Sequence, residues 1–260
     1  MITRENHKLI GKVRKVEAEF AVFEIVDEKV VETRHQSAGY SVYDLEGKLI
    51  EEVSPHRLMM EDVYKDIYIY DSEGKLFQRD EYDENEELIG KTMFEQDDNG
   101  NRIEKHYYLD KNQILKLGSR SIYRSESKFD DGFFDDNLIE RVSYDENEEI
   151  LPNRIYQADS TRKDRKDIVF NDDGYTLEEF RYNEHDEFYH RISTVYDLKG
   201  NRKEYFCYEP DGTLYLKDEF TYEYDLVGNW IKQIQHHWVI GWGEFRLIPL
   251  LVIRRSIDYY

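Results

Sequence analysis

The most constraining feature of this chain is a short unit that recurs along it: an aromatic residue, an acidic turn, a glycine or asparagine, then an aliphatic residue. Clear copies are Tyr43-Asp44-Leu45-Glu46-Gly47, Tyr70-Asp71-Ser72-Glu73-Gly74, Tyr196-Asp197-Leu198-Lys199-Gly200, Tyr208-Glu209-Pro210-Asp211-Gly212 and Tyr224-Asp225-Leu226-Val227-Gly228. Variants at Tyr82-Asp83-Glu84-Asn85, Phe134-Asp135-Asp136-Asn137 and Tyr144-Asp145-Glu146-Asn147 carry asparagine in the glycine slot or one position earlier. Looser copies sit at Asp97, Asp110, Asn171 and Asn183. Aromatics at 170, 182, 196, 208 and 224 are spaced by 12, 14, 12 and 16 residues, enough for one strand and one turn. An Asp accepts hydrogen bonds from backbone N–H groups just ahead of it, and Gly or Asn tolerates the positive φ that closes a bulged hairpin loop. Stretches such as Leu76–Tyr82 and Arg202–Tyr208 therefore read as strands, and turns that follow strands in direct succession give an antiparallel meander.

Composition supports this reading. The 22 Tyr and 13 Phe contrast with four Ala, a mixture that favours strands over helices. Leu, Ile, Val and Phe together supply 68 of 260 residues, about a quarter, above the ~20% that marks disordered chains. The fold expected is all-β: an antiparallel meander of short repeats forming an extended or coiled single sheet. Residues 1–40 are expected to join that sheet as strands or a short helix, with Asp27-Glu28-Lys29 as a turn. Residues 41–260 form the repeat domain, closed by a capping module at about 222–260. Ser54–Asp62, Ser119–Gly132 and Pro152–Lys166 break the period and read as irregular links. In Lys217–Tyr224, alternation places acids on one face and aromatics on the other.

The net charge of −21 repels phosphate backbones, so nucleic acid is an unfavourable partner, whereas a protein with a basic surface is a favourable one. No apolar run is long enough to span a membrane, and the N-terminal residues lack the pattern of a secretory signal, which favours a cytoplasmic location, with secretion by a non-classical route or as part of a larger system as the alternative. A single cysteine, Cys207, excludes an internal disulfide and a cysteine-based zinc site, and its neighbours Phe206 and Tyr208 suggest a buried strand position.

The aromatic-Asp-x-x-Gly turn resembles the YD repeat of the bacterial Rhs family from about Tyr40 onward. Tyr222–Lys232 with Arg254–Tyr260 resembles the closing module of bacterial YD-repeat-like proteins. The resemblance implies a bacterial β-repeat chain. Large members of that family form shells around toxins, and 260 residues is too short for a closed shell.

No nucleophile, phosphate-loop or dinucleotide motif is present, so an enzyme is not expected. The Asp97 loop fails as a calcium hand because His106 stands where a bidentate Glu is needed. Adjacent His236 and His237 on a strand point to opposite faces and do not converge on a metal. No metal or cofactor is expected. Trp230, Trp238 and Trp242 form either an aromatic platform for a glycan or partner, or a cap on the end of the array, which is the preferred reading. The expected function is a non-enzymatic interaction protein. Alternatives are an immunity-like protein covering a basic toxin, or a carbohydrate-binding module using the three tryptophans.

Overall fold

The computed structural model describes residues 9–27, 29–55, 63–110, 112–123, 138–144, 156–157, 165–171, 175–183, 185, 187–241 and 244–260. The chain is all-β. Its strands are β1 (Val13–Val26), β2 (Lys29–Glu32), β3 (Gln36–Tyr43), β4 (Leu49–Pro55), β5 (Val63–Tyr70), β6 (Leu76–Tyr82), β7 (Leu88–Gln96), β8 (Arg102–Leu109) and β9 (Leu115–Tyr123). They continue as β10 (Leu138–Ser143), β11 (Tyr156–Gln157), β12 (Arg165–Phe170), β13 (Thr176–Tyr182), β14 (Phe188–Tyr196), β15 (Arg202–Tyr208), β16 (Leu214–Tyr224), β17 (Trp230–Gly241) and β18 (Glu244–Tyr259). Residues near the N-terminus thus take the strand alternative, with Asp27 at a φ of 50° between β1 and β2.

The chain divides into two compact units. Unit 1 comprises Met1–Val16, Gly39–Thr161 and Asp258–Tyr260, and unit 2 comprises Glu17–Ala38 and Arg162–Ile257, so β1, β3 and β18 contribute residues to both. Within unit 1 an antiparallel ladder runs from β3 to β11 in chain order. Within unit 2 another runs from β12 to β18. Buried apolar side chains include Val13, Tyr43, Leu49, Tyr68 and Leu76 in unit 1, and Ala21, Ile192, Cys207 and Val252 in unit 2.

One loop design explains the meander. At Asp71 the backbone N–H donates to Lys75 O (2.9 Å), and Gly74 N–H donates back to Asp71 O (3.0 Å). The same pair of bonds recurs at Asp44, Asp83, Asp97, Asp110, Asp197, Glu209 and Asp225. The side chain completes the loop: Asp71 Oδ1 accepts from the N–H groups of Glu73 (2.9 Å) and Lys75 (2.8 Å). Asn183 does the same through its amide oxygen, accepting from His185 (2.9 Å) and Glu187 (3.0 Å). In the eight turns that make this pair of bonds, the third residue after the acid carries a positive φ, from 60° at Glu86 to 108° at Gly228. At the Asp83 loop this strained position falls on Glu86 (60°), since Asn85 stands one place early, and at Asp110 it falls on Gln113 (61°).

A second regularity lies at the hairpin base. Where an aromatic precedes the turn, it pairs with the fifth residue after the acid, as in Tyr43 with Leu49, Tyr70 with Leu76, and Tyr208 with Leu214. The next residue of the second strand is bulged, so Ile69 pairs with Gln78 rather than Phe77. Tyrosine hydroxyls then link successive turns along one rim within each unit: in unit 1 Tyr70 donates to Leu49 O (2.7 Å), and in unit 2 Tyr196 donates to Thr176 O (3.1 Å) and Tyr222 to Arg202 O (2.7 Å).

The periodic strands match their expected bounds, whereas parts of all three expected links do not: Ser54–Pro55 ends β4, Tyr156–Gln157 is β11 and Arg165–Lys166 opens β12. Ser119–Tyr123 belongs to β9, because it is paired on both sides, with β8 and with β10. The remainder of that link lies outside the described residues, as do 56–62, 158–164 and the loops after Phe134 and Tyr144.

Candidate functional site

Paired residues share a sheet face, so the ladders assemble a polar surface in unit 1. One row runs Tyr68, Arg79, Thr92, His106 across β5 to β8, and a neighbouring row runs Glu52, Asp66, Glu81 across β4 to β6. The two rows are hydrogen-bonded to each other. Tyr68 donates to Glu52 Oε2 (3.1 Å), and Arg79 Nη2 donates to Glu81 Oε1 (2.5 Å) while its Nε lies 3.9 Å from Asp66 Oδ1. Thr92 Oγ1 is 2.9 Å from His106 Nδ1, His106 Nε2 is 3.6 Å from Glu104 Oε2, and Arg102 Nε is 3.0 Å from Glu104 Oε1. Thr92, Ser121 and Glu104 on this face are buried.

Burial pushes the Glu104 carboxyl up, but the hydrogen bond with His106 and the Arg102 charge outweigh it, so Glu104 is held below the usual carboxylate range. Burial, with Glu52 and Asp66 nearby, pushes the Tyr68 hydroxyl far above its ordinary value. Burial disfavours the Arg79 charge, yet Asp66 and Glu81 overcome it and raise its pKa. The face therefore presents fixed acceptors at its carboxylates and a fixed donor at the Arg79 guanidinium, the single Tyr68 proton being committed to Glu52. Chemically it can hold polar groups by hydrogen bonds from a preorganised frame.

Unit 2 is built differently. On one face, rings and cations alternate strand by strand. The Arg191 guanidinium lies 5.8 Å from the Phe180 ring and 5.1 Å from Tyr208, and Lys217 Nζ lies 5.5 Å from Phe206 and 4.8 Å from Trp238. Each cation also has an acid: Glu178 for Arg191, and Glu219 (2.8 Å) and Glu204 (3.3 Å) for Lys217. Glu219 holds the Lys217 pKa up, and Lys217 holds that of Glu219 down. Asp218 falls on the opposite face with the aromatics, which corrects the expected segregation of acids in Lys217–Tyr224. It is buried there because Gln235 Nε2 (2.8 Å) and His237 Nδ1 (2.6 Å) satisfy its carboxylate. His236 pairs opposite Glu219 and His237 opposite Asp218, so the two histidines face apart.

Trp230 and Trp238 lie eight residues apart on β17, roughly 26 Å along a strand. The structure does not bring them together. Arg255 sits over the Trp230 ring (3.4 Å) and donates to its carbonyl (2.7 and 2.9 Å), while Trp238 Nε1 donates to Glu219 Oε1 (3.0 Å). Trp242 lies outside the described residues. Cys207 is buried on β15. Among the described residues no group of three or more His, Cys, Asp or Glu could hold a metal ion. Asp97 Oδ1 instead accepts from the backbone of Asn99 (2.9 Å) and Asn101 (2.8 Å). A cleft of about 270 Å³ in unit 1 is lined by Arg14, Lys15, Tyr40, Val42 and Glu51. Its cations are engaged, Arg14 with Asp258 (3.1 Å) and Lys15 over the Tyr40 ring (4.3 Å). No helix among the described residues is long and apolar enough to cross a membrane.

The unit 1 network escaped sequence reasoning because its acids are a few among 57. The bulged-turn register would have found it: counting outward from the Asp71 turn places Arg79 opposite Tyr68.

No protein-family model and no curated protein matches the chain. Among solved structures, a porin-like protein from Bacteroides uniformis is similar at 10% identity, covering 96% of this chain and 99% of its own, with a TM-score of 0.40. A DUF1329 family protein from Desulfovibrio piger is similar at 12% identity over 98% and 89%, with a TM-score of 0.27. A LolA superfamily protein from Nitrosomonas europaea is similar at 9% identity over 100% and 94%, with a TM-score of 0.24.

Proposed function

We propose that this chain is a non-enzymatic interaction protein of the YD-repeat-like type, whose acidic β-surface binds a protein partner with a basic face. The supporting observation is the division of labour among its acids. Loop acids such as Asp71 and Asp97 are tied to backbone N–H groups, and strand acids such as Glu81 and Glu204 to Arg or Lys. Turn-tip acids stand out in solvent: Glu73, Glu84 and Asp98 are exposed, and Glu46 and Glu86, 72% and 79% exposed, each lie against a single lysine, Lys48 (2.7 Å) and Lys65 (3.3 Å). These tips supply a field that steers a cationic partner, while the paired strand faces stay rigid beneath. The test is affinity capture from a bacterial lysate at low and at high salt. The reading predicts a lysine- or arginine-rich protein retained at low salt and released at high salt. Retention indifferent to salt, or no captured protein, contradicts it.

A further inference from the structure

Asparagine recurs in the turns of this fold, and in one turn its chemical setting differs from all the others. The sequence places glycine directly after asparagine once, at Asn99-Gly100. Asn99 is the second residue after the Asp97 acid and is exposed. Its backbone N–H is held by Asp97 Oδ1 (2.9 Å), but among the described residues no hydrogen bond reaches its side-chain amide.

Most other turn asparagines are tied or covered. Asn101 Nδ2 donates to Asp97 Oδ2 (2.9 Å), and Asn201 Nδ2 donates to the Tyr224 hydroxyl (3.0 Å). Asn171 and Asn183 accept backbone N–H groups through their side-chain oxygens, and Asn229 is 2% exposed. Asn85 and Asn112 precede Glu86 and Gln113, whose side chains crowd the following nitrogen.

An asparagine side chain is open to attack at Cγ by the backbone nitrogen of the next residue, and glycine leaves that approach clear because it has no Cβ. In this step the Gly100 nitrogen gives its proton to base and bonds to Asn99 Cγ, while the Cγ–Nδ2 bond breaks and ammonia leaves. One water then opens the five-membered imide. Opening at Cγ gives aspartate, and opening at the main-chain carbonyl gives an isoaspartyl link through Cβ. In sum, a side-chain amide and one water become a carboxylate and ammonium.

The fold places a gate on this reaction. Gly100 N–H donates to Asp97 O (2.9 Å), so its nitrogen reaches Cγ only when that bond opens. The hairpin base below it pairs Gln96 with Arg102 and has no aromatic anchor. Exposed turns open locally at far lower cost than the whole fold. We propose that Asn99 is a site of spontaneous deamidation in the folded protein, gated by opening of the Gly100–Asp97 hydrogen bond. The aspartate product fits the turn, since Glu46 and Glu73 hold the same position in two others. The isoaspartyl product lengthens the main chain by one carbon and breaks the match between loop and base. This goes beyond the protein-partner reading and does not rest on it.

The test is incubation of the whole chain in mildly alkaline buffer, followed over time by peptide mass spectrometry. The peptide that contains Asn99 should gain one mass unit and resolve into an aspartyl and an isoaspartyl form, while Asn101, Asn201 and Asn229 keep their amides. In urea above the unfolding midpoint the gain at Asn99 should run several-fold faster, because the gate is gone. Asn99→Ser should abolish the gain and leave the unfolding midpoint unchanged. If Asn99 keeps its amide as long as Asn101 does, the proposal is overturned. Equal rates at Asn99 in the folded and unfolded chain overturn the gate.

Discussion

Ring-led turns and the two turns without a ring share a loop and differ at its base. Among the described residues, turns preceded by Tyr43, Tyr70, Tyr82, Phe170, Tyr182, Tyr196, Tyr208 and Tyr224 all carry a register shift directly after the pair that includes the ring. The Asp97 turn is preceded by Gln96, pairs it with Arg102, and has no shift. The Asp110 turn follows Leu109, and its irregularity moves out to His106 and Tyr107. Loop hydrogen bonds are the same in both classes. The acid and the positive-φ residue therefore specify the loop, while the ring and its partner anchor the hairpin base and accompany the bulge that re-aims the strand.

Removing the best-anchored ring should break this distinction most severely. Tyr43 is 1% exposed and paired with Leu49, also 1%. Tyr43→Ala should cost about 3–5 kcal/mol in urea unfolding, and Gln96→Ala less than about 0.5 kcal/mol. A comparable loss from both would erase the difference between the classes.

Next in size is a contrast between two loop glycines. A methyl group on Gly200 (φ 76°) would stand 2.5 Å from the Tyr175 hydroxyl, and one on Gly212 (φ 84°) would meet nothing within 4 Å. Gly200→Ala should cost about 2–3 kcal/mol and Gly212→Ala about 1 kcal/mol by the same measurement. Smaller and opposite in sign is relief of the loops that lack glycine: Glu86→Gly or Gln113→Gly should each stabilise by about 0.5–1 kcal/mol.

The smallest effect is on pH dependence. Asp83 is held below the usual carboxylate range by the Glu87 and Asn85 N–H groups, Asp97 by Asn101 and Asp110 by the Ile114 N–H. A carboxyl whose folded pKa is depressed stabilises the fold above its unfolded pKa of ~3.9 and loses that contribution as pH falls toward the folded value. Asp83→Asn should keep the loop, as Asn183 does, and make unfolding slightly less sensitive to acid below about pH 4. At the other extreme, burial and the Asp44 charge push the Tyr70 hydroxyl up to about 12. Its contribution is complete below pH ~10 and should fade as pH rises through that interval, an alkaline loss that Tyr70→Phe removes.

Much of the fold was legible because the loop chemistry is local. Leu76–Tyr82 and Arg202–Tyr208 emerge as strands with the bounds read between turns. Ser119–Tyr123 did not, since no turn motif closes it and its strand state depends on partners in β8 and β10. The bulged loop was legible in the turn chemistry, but the place where the register shifts was not, because it is a property of the pairing and not of any one residue. The candidate site was legible only in part. Alternation placed His236 and His237 on opposite faces, whereas the burial of Asp218 required knowing that Gln235 and His237 reach it across the ladder. The tryptophans looked like one cluster in sequence, yet an extended strand separates Trp230 from Trp238 and each has an intramolecular partner.

Residue-resolved amide hydrogen exchange tests the central claim most directly, because the same two loop N–H groups can be followed in every turn. The account predicts that Asp71 and Gly74, above the Tyr70–Leu76 base, exchange more slowly than Asp97 and Gly100, above the Gln96–Arg102 base, although both pairs make the same bonds at 2.9–3.0 Å. Equal protection at the two turns would contradict it, since the loop alone would then account for hairpin stability and the ring would anchor nothing.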